Sequence, residues 1–162
     1  MDRKKIITIL LAVTLAFIWG NSLLSQEVSG RISDGVMHVL NTAADGLGLG
    51  EDLFTYMADV DGDGQAEPTS HIVRKMAHVA EFAVLGALLA LRLERAGKLR
   101  PLFAFGLGVL TGAIDETIQL FSHRGSQLSD VMIDALGAAL GITLALALCA
   151  LARRRAGRAA GE

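Results

Sequence analysis

The chain has 162 residues, 52% of them hydrophobic, and a mean hydropathy of +0.46. This apolar fraction exceeds the roughly 45–50% typical of soluble domains, and the apolar residues fall in long blocks, which disfavours a water-soluble core. The formal net charge of −2 identifies no partner by itself, and the single cysteine, Cys149, rules out a disulfide within the chain.

The first apolar segment covers residues 6–24 and follows the basic run Arg3-Lys4-Lys5. Its length is about that needed to cross the hydrocarbon core of a bilayer. A basic start followed by an apolar run is also typical of a cleaved signal peptide, but no clear A-x-A-like cleavage site follows it. We therefore interpret the segment as a retained signal-anchor helix.

A long polar, acidic and glycine-punctuated loop covers residues 27–70. Its apolar positions predict a short amphipathic helix over residues 33–49, which we expect at the membrane surface.

An acidic turn within this loop matches the first half of an EF-hand calcium loop, with carboxylates at Asp59, Asp61 and Asp63. The twelfth position of such a loop requires a bidentate glutamate, and here it is Ser70. A solvated acidic turn and a weak calcium site are therefore both consistent with the sequence.

Three further apolar segments cover residues 74–93, 102–121 and 131–152. No glycine- or serine-rich linker and no internal repeat divides them. The sequence therefore predicts one domain over residues 1–162, an all-α polytopic membrane bundle of about four transmembrane helices with an extracytoplasmic loop.

The distribution of basic residues orients this bundle. Eleven of the 15 lysines and arginines lie at the N-terminus, in the 92–100 loop or after residue 152. Loops rich in lysine and arginine remain in the cytoplasm. We therefore expect a multi-pass cell-membrane protein with both termini cytoplasmic and the 27–70 and 122–129 loops outside.

With this topology, the polar ends of all four segments meet near the outer leaflet. On the second segment, Arg74, His78 and Glu81 share one helical face. Charged side chains within a membrane are costly unless they are paired or hydrated, so a set of them in one place indicates a functional site. The candidate ligand-binding residues are Arg74, Lys75, His78, Glu81, Asp115, Glu116, Gln119, Arg124, Asp130 and Asp134.

Small residues continue the polar faces toward the other leaflet. Gly108 and Gly112 share one face with Asp115 and Gln119 on the third segment. Gly137 and Gly141 share one face with Asp130 and Asp134 on the fourth. Such Gly-xxx-Gly stripes mark close contacts between membrane helices. We expect them to turn the carboxylates of the third and fourth segments toward each other.

Several chemistries remain open for this polar set. General acid–base catalysis is open to His78, Glu81, Asp115 and Glu116. The same residues with Asp134 could ligate a metal, but no H-E-x-x-H pattern fixes such a site, so the sequence assigns no metal and no cofactor. Arginines beside carboxylates could instead bind an anionic lipid headgroup or glycan phosphate. In the simplest alternative, the charges only anchor and lock the helix ends.

Motif searches remove other classes of function. The chain has no Walker A loop, no G-x-S-x-G elbow, no dinucleotide fingerprint and no metal-type cysteine pair. Its basic residues lie at the expected cytoplasmic edge without interleaved aromatic residues, so no nucleic-acid partner is expected. Membrane lipid is the expected partner.

Three stretches of this sequence resemble the VanZ-like membrane proteins, over most of the chain outside residues 30–70. They are WGNSLLSQEVS (19–29), VRKMAHVAEFAVL (73–85) and, the most specific, DETIQLFSHRGSQLSDVMIDALGAALG (115–141). One departure is Phe82, where tyrosine is more usual in that family. The family motif positions matched here are Ser25, Gln26, Arg74, Lys75, His78, Glu81, Asp115, Glu116, Gln119, Arg124, Asp130 and Asp134.

The resemblance implies a role at the cell envelope, since the family's namesake is associated with resistance to the lipoglycopeptide teicoplanin. We therefore expect a protein that binds an anionic lipid-linked or cell-wall glycan group and modulates glycopeptide susceptibility. A membrane enzyme that acts on a lipid-linked envelope intermediate, with Glu81 or Asp115 as base, is the alternative, and a purely structural polar cluster is a third.

Overall fold

The computed structural model describes residues 2–24, 26–48, 69–121 and 128–159. Within these ranges the chain is helical and contains no β-strand, which confirms the all-α prediction. A 3₁₀ helix, Glu94–Leu99, joins the third and fourth α-helices. The α-helices are α1 (Arg3–Ser22), α2 (Gln26–Gly46), α3 (Thr69–Arg92), α4 (Arg100–Phe121) and α5 (Leu128–Ala159).

Helices α1 and α4 follow the predicted apolar segments to within three residues, but α3 begins five residues before residue 74 and α5 ends seven residues after residue 152. Helix α2 differs from the prediction in both its start and its length. This helix begins at Gln26, seven residues before the predicted start at residue 33, and its length of 21 residues is not short. Ser29, Ser33 and Met37 form its buried side, and α2 packs against α3. The acidic turn with Asp59, Asp61 and Asp63 lies outside the described residues.

Helix α3 is central and packs against α1, α2, α4 and α5. It runs parallel to α5, since a side chain at Gly137 would meet Val79 and, further along, Ala90 and Ala145 belong to one apolar cluster. Helices α1 and α4 run the opposite way. At one end of the bundle, Ser22 of α1 therefore meets Asp115 of α4.

Glycines allow α3 and α5 to approach closely. A Cβ atom at Gly141 would collide with the backbone of Ala83, and one at Gly86 would collide with the backbone of Ala138. Both glycine stripes therefore lie at close helix contacts, but they face different helices. The α4 stripe does face α5, because Gly112 lies against Asp134, but Gly137 and Gly141 pack on α3.

Apolar clusters fill the bundle beneath the end where Ser22 meets Asp115. Ile18, Phe82 and Leu85 form one cluster, and Ala90, Ala104, Ile142 and Ala145 form another nearer the opposite end. That opposite end carries basic side chains. Arg3 makes an ion pair with Glu94 at 3.1 Å, and Arg92 Nε donates to Thr8 Oγ1 at 3.1 Å.

Three helical stretches of the described chain are long and apolar enough to cross a membrane: Arg3–Ser22, Glu94–Phe121 and Ser129–Arg158. Their outward faces expose large apolar side chains, such as Phe17, Leu110 and Leu144. Helix α3 does not meet this criterion, because its first half carries charged residues, yet it lies among the three. The fold is thus a helical bundle of membrane character, with a group of buried carboxylates at one end and basic side chains at the other.

Candidate functional site

The polar cluster of this protein is built by four helices at one end of the bundle. We define it as Asn21 and Ser22 of α1, His78 and Glu81 of α3, Asp115, Glu116 and Gln119 of α4, and Asp134 of α5. Every helix contributes from the same end, because α1 and α4 finish where α3 and α5 start. The structure thus brings together six of the residues selected from the sequence, and Asn21 and Ser22 join them.

Both carboxylate oxygens of Asp115 accept hydrogen bonds, and none of the surface of this residue is exposed. Ser22 Oγ donates to Asp115 Oδ1 at 2.6 Å, and Gln119 Nε2 donates to Asp115 Oδ2 at 2.9 Å. The amide of Gln119 also lies 3.2 Å from Glu116 Oε1. The carboxylate of Asp115 is therefore held by one donor from α1 and by one donor from its own helix, α4.

Asp134 of α5 is also fully buried, but it is held by fewer hydrogen bonds than Asp115. His78 Nδ1 lies 3.4 Å from Asp134 Oδ1, and neither oxygen of this carboxylate has a hydrogen-bond partner within the described residues. Gly112 lies against it on α4, where an added Cβ would be 3.2 Å from Asp134 Oδ2. The missing side chain at Gly112 leaves the space that this carboxylate occupies.

Glu81 connects α3 to the end of α1. Asn21 Nδ2 donates to Glu81 Oε1 at 3.2 Å, while Glu81 Oε2 is buried without a partner among the residues described. Together with Asp115, Glu116 and Asp134, it makes the cluster strongly acidic, with the imidazole of His78 as the nearest basic group. Buried carboxylates in this number are costly unless a cation or protons compensate their charge.

The remaining predicted residues lie around the cluster or outside the described chain. Arg74 and Lys75 are half-buried on the first half of α3, and Asp130 is half-buried one turn before Asp134. Arg124 and Ser25 lie outside the described residues, and Gln26 opens α2 without a described side chain. The structure therefore leaves the predicted role of Arg124 untested.

Asn21 and Ser22 are cluster residues that sequence reasoning did not select. The sequence did contain an indication of their role, because they end the first apolar segment at the same side of the membrane as the other polar ends. Polar residues at a segment end are ordinary, and only the contact with Glu81 and Asp115 distinguishes these two.

The comparison with protein families agrees with this architecture. A family model described as VanZ/LLP1 matches residues 6–150. The chain belongs to the VanZ/LLP1 family. The match covers α1 and the polar cluster together with most of α5, and it confirms the likeness drawn from the three sequence stretches. Neither the curated proteins nor the solved structures gave a match. Family membership is therefore established, together with the membrane character of the helices.

Replacing Ser22 with alanine is expected to destabilise this VanZ-family protein by about 1.5–3 kcal/mol, the usual contribution of a hydrogen bond to a charged group. The loss arises because, among the described residues, Gln119 is then the one remaining donor to the fully buried Asp115. Thermal unfolding of the purified protein in detergent measures the effect. Thr14→Ala is the matched control, since within the described chain that hydroxyl bonds to Leu10 O of its own helix; equal unfolding temperatures for both variants would contradict the prediction.

Proposed function

We propose that this protein is a multi-pass membrane protein of the cell envelope that binds an anionic lipid-linked or glycan group and thereby modulates teicoplanin susceptibility. One observation carries the proposal. Arg74 is half-buried on α3, and its Nε is buried without a hydrogen-bond partner in the described chain. A buried guanidinium donor that lacks an acceptor is costly, so an anionic ligand that supplies one is favoured.

The position of Arg74 keeps such an anion apart from the acidic residues. Arg74 lies one helical turn before His78 and two turns before Glu81, or about 6 Å and about 10 Å along the helix axis. Lys75 is half-buried beside it and adds a second positive charge. An anion bound here would lie at the outer opening of the polar cluster, with Arg124 as the proposed third basic group.

Guanidinium chemistry favours phosphates and carboxylates, because its planar fork of donors matches two oxygens of the same group. Both groups occur in lipid-linked and glycan components of an envelope. We propose that occupation of this site changes how much of such a component is available to teicoplanin. A direct effect on the antibiotic is not required.

Orientation supports the same proposal. We propose that α3 is the fourth span, with its polar half shielded by α1, α4 and α5, which pack around it. Eleven of the 15 basic residues lie at the end of the bundle opposite the polar cluster or in the terminal segments beside it. By the positive-inside rule, this arrangement puts both termini in the cytoplasm and the polar cluster at the outer face, where envelope intermediates are exposed.

The test compares cells that express wild type, Arg74→Ala or Arg95→Ala, with membrane abundance quantified for each. Arg95 is an exposed arginine at the opposite end of the bundle and serves as the matched control. Loss of a charged hydrogen bond costs about 1.5–3 kcal/mol, or on the order of 10- to 100-fold in affinity. We expect Arg74→Ala to restore teicoplanin sensitivity at unchanged abundance, with a smaller effect on vancomycin, and Arg95→Ala to behave as wild type.

Two outcomes would overturn the proposal. In one, sensitivity follows abundance in every variant, and the charges then serve only to lock the helices. In the other, Arg74→Ala and Arg95→Ala have the same phenotype, and positive charge in general matters rather than this site. Arg74→Lys retains the charge but not the fork of donors, so we expect an intermediate sensitivity.

A further inference from the structure

We propose that His78, Asp115 and Asp134 form a binding site for a divalent metal ion that accepts mixed imidazole and carboxylate ligands, such as Zn²⁺ or Mn²⁺. Each residue offers one ligand atom, and the three atoms lie within 4.8 Å of one another. They come from α3, α4 and α5, so the bundle itself assembles the set. No local sequence motif encodes it.

The contact between His78 and Asp134 has the spacing of two ligands of one ion. The separation of 3.4 Å between His78 Nδ1 and Asp134 Oδ1 is longer than the 2.7–3.2 Å or so of a good N–H···O hydrogen bond. Two atoms about 2.1 Å from a tetrahedral zinc ion lie roughly 3.4 Å apart. An ion between them therefore needs little movement of either side chain.

Asp134 itself points to a missing partner. Its side chain is fully buried, and in the described part of the chain neither oxygen has a hydrogen bond. A buried carboxylate without hydrogen bonds is strongly disfavoured unless a cation or a proton compensates it. The absence of a side chain at Gly112 lets Asp134 Oδ2 lie directly against α4, the helix that carries Asp115.

Asp115 is oriented as metal-bound carboxylates usually are, by hydrogen bonds from neighbouring groups. Ser22 and Gln119 each donate to one of its oxygens. A carboxylate oxygen can accept about two interactions, so each oxygen retains capacity for an ion. Ser22 and Gln119 are thus positioning residues of the proposed metal site.

Charge and ligand type select the class of ion. Glu81 follows His78 by three residues and so lies on the same face of α3, which adds a third carboxylate to Asp115 and Asp134 near one imidazole. A divalent ion compensates two of these negative charges. Imidazole nitrogen favours transition metals such as zinc over magnesium or calcium, which prefer all-oxygen sites. The proposal does not depend on anion binding by Arg74.

The test uses purified full-length protein in detergent, stripped with a chelator and titrated separately with Zn²⁺, Mn²⁺, Mg²⁺ and Ca²⁺. We expect wild type to take up one Zn²⁺ or Mn²⁺ per chain and to unfold at a higher temperature in its presence. Asp134→Asn retains the buried shape but removes a ligand charge. Loss of a hydrogen-bond partner of a metal ligand weakens metal affinity by roughly 10- to 100-fold. We expect Ser22→Ala to weaken metal binding within that range and Asp134→Asn to weaken it by more.

The matched control is Asp34→Asn, which removes an exposed acid on α2 and should leave metal affinity unchanged. The proposal is overturned if wild type binds neither Zn²⁺ nor Mn²⁺ at about 1 mM, the weakest range of protein calcium sites. It is also overturned if Asp134→Asn binds like wild type. Should Asp134→Asn not fold, Co²⁺ titration of wild type decides: absorption bands of a four- or five-coordinate ion are expected, and the spectrum of hydrated Co²⁺ alone contradicts the site. No antibiotic enters this experiment, so its failure leaves the role of Arg74 unaffected.

Discussion

Replacing Gly141 with alanine is expected to destabilise the bundle by about 1–3 kcal/mol, the usual cost of excess volume in a well-packed core. The added methyl group would collide with the backbone of Ala83, which cannot rotate away as a side chain can. Helices α3 and α5 must therefore separate. At roughly 2–4 °C per kcal/mol, the melting temperature should fall by several degrees, measurable by thermal unfolding in detergent.

Gly106→Ala is the matched control for this prediction. Gly106 lies in α4, and nothing surrounds the position where its Cβ would be. Alanine is a better helix former than glycine by up to about 1 kcal/mol, so this variant should be as stable as wild type or slightly more stable. Equal losses in the two variants would contradict the prediction, because the loss would then not depend on the contact between α3 and α5.

Separation of α3 from α5 has a second consequence at the polar cluster. His78 lies on α3 and Asp134 on α5, so the 3.4 Å between their facing atoms depends on the close packing at Gly137 and Gly141. The glycines and the polar residues are therefore one structural unit. The glycines set the distance between helices, and that distance sets the geometry of the cluster.

Most of the helical architecture could be predicted, because the apolar segments are long and their ends are marked by charge. The start of α2 could not, since Gln26 and Glu27 are polar and Gly30 interrupts the segment soon after. Packing of α2 on α3 accounts for this helix better than its own sequence does. In such cases, packing against another helix stabilises a segment whose intrinsic helix propensity is weak.

The sequence predicted that the polar residues of the candidate site lie close together, but it did not predict which of them contact one another. Periodicity places Gly137 and Gly141 on the face of Asp134, but it does not say whether that face meets α3 or α4. The triad His78, Asp115 and Asp134 was part of a five-residue set that could ligate a metal, but for the same reason the sequence could not single it out. Its members come from three helices, and ligands so far apart in sequence have no recognisable spacing.

The second large effect is expected at Phe82, the largest fully buried side chain of the bundle. It packs with Ile18 and Leu85 and lies beside Gly112 and Gly137, so its ring fills the junction between four helices. Phe→Ala costs about 3–5 kcal/mol in soluble cores. We expect the lower part of that range here, because lipid is as apolar as the interior and only lost packing contributes.

Phe103→Ala is the matched control, because it removes an aromatic ring that does not pack inside the bundle. Phe103 is 52% exposed on α4, and its ring lies on the outer surface of the bundle. We expect thermal unfolding of Phe103→Ala to resemble that of wild type, and Phe82→Ala to unfold at a clearly lower temperature. Since Phe82 directly follows Glu81, its truncation should also loosen the polar cluster and weaken metal uptake. Equal stability of the two variants would show that the junction at Phe82 is not what holds the helices together.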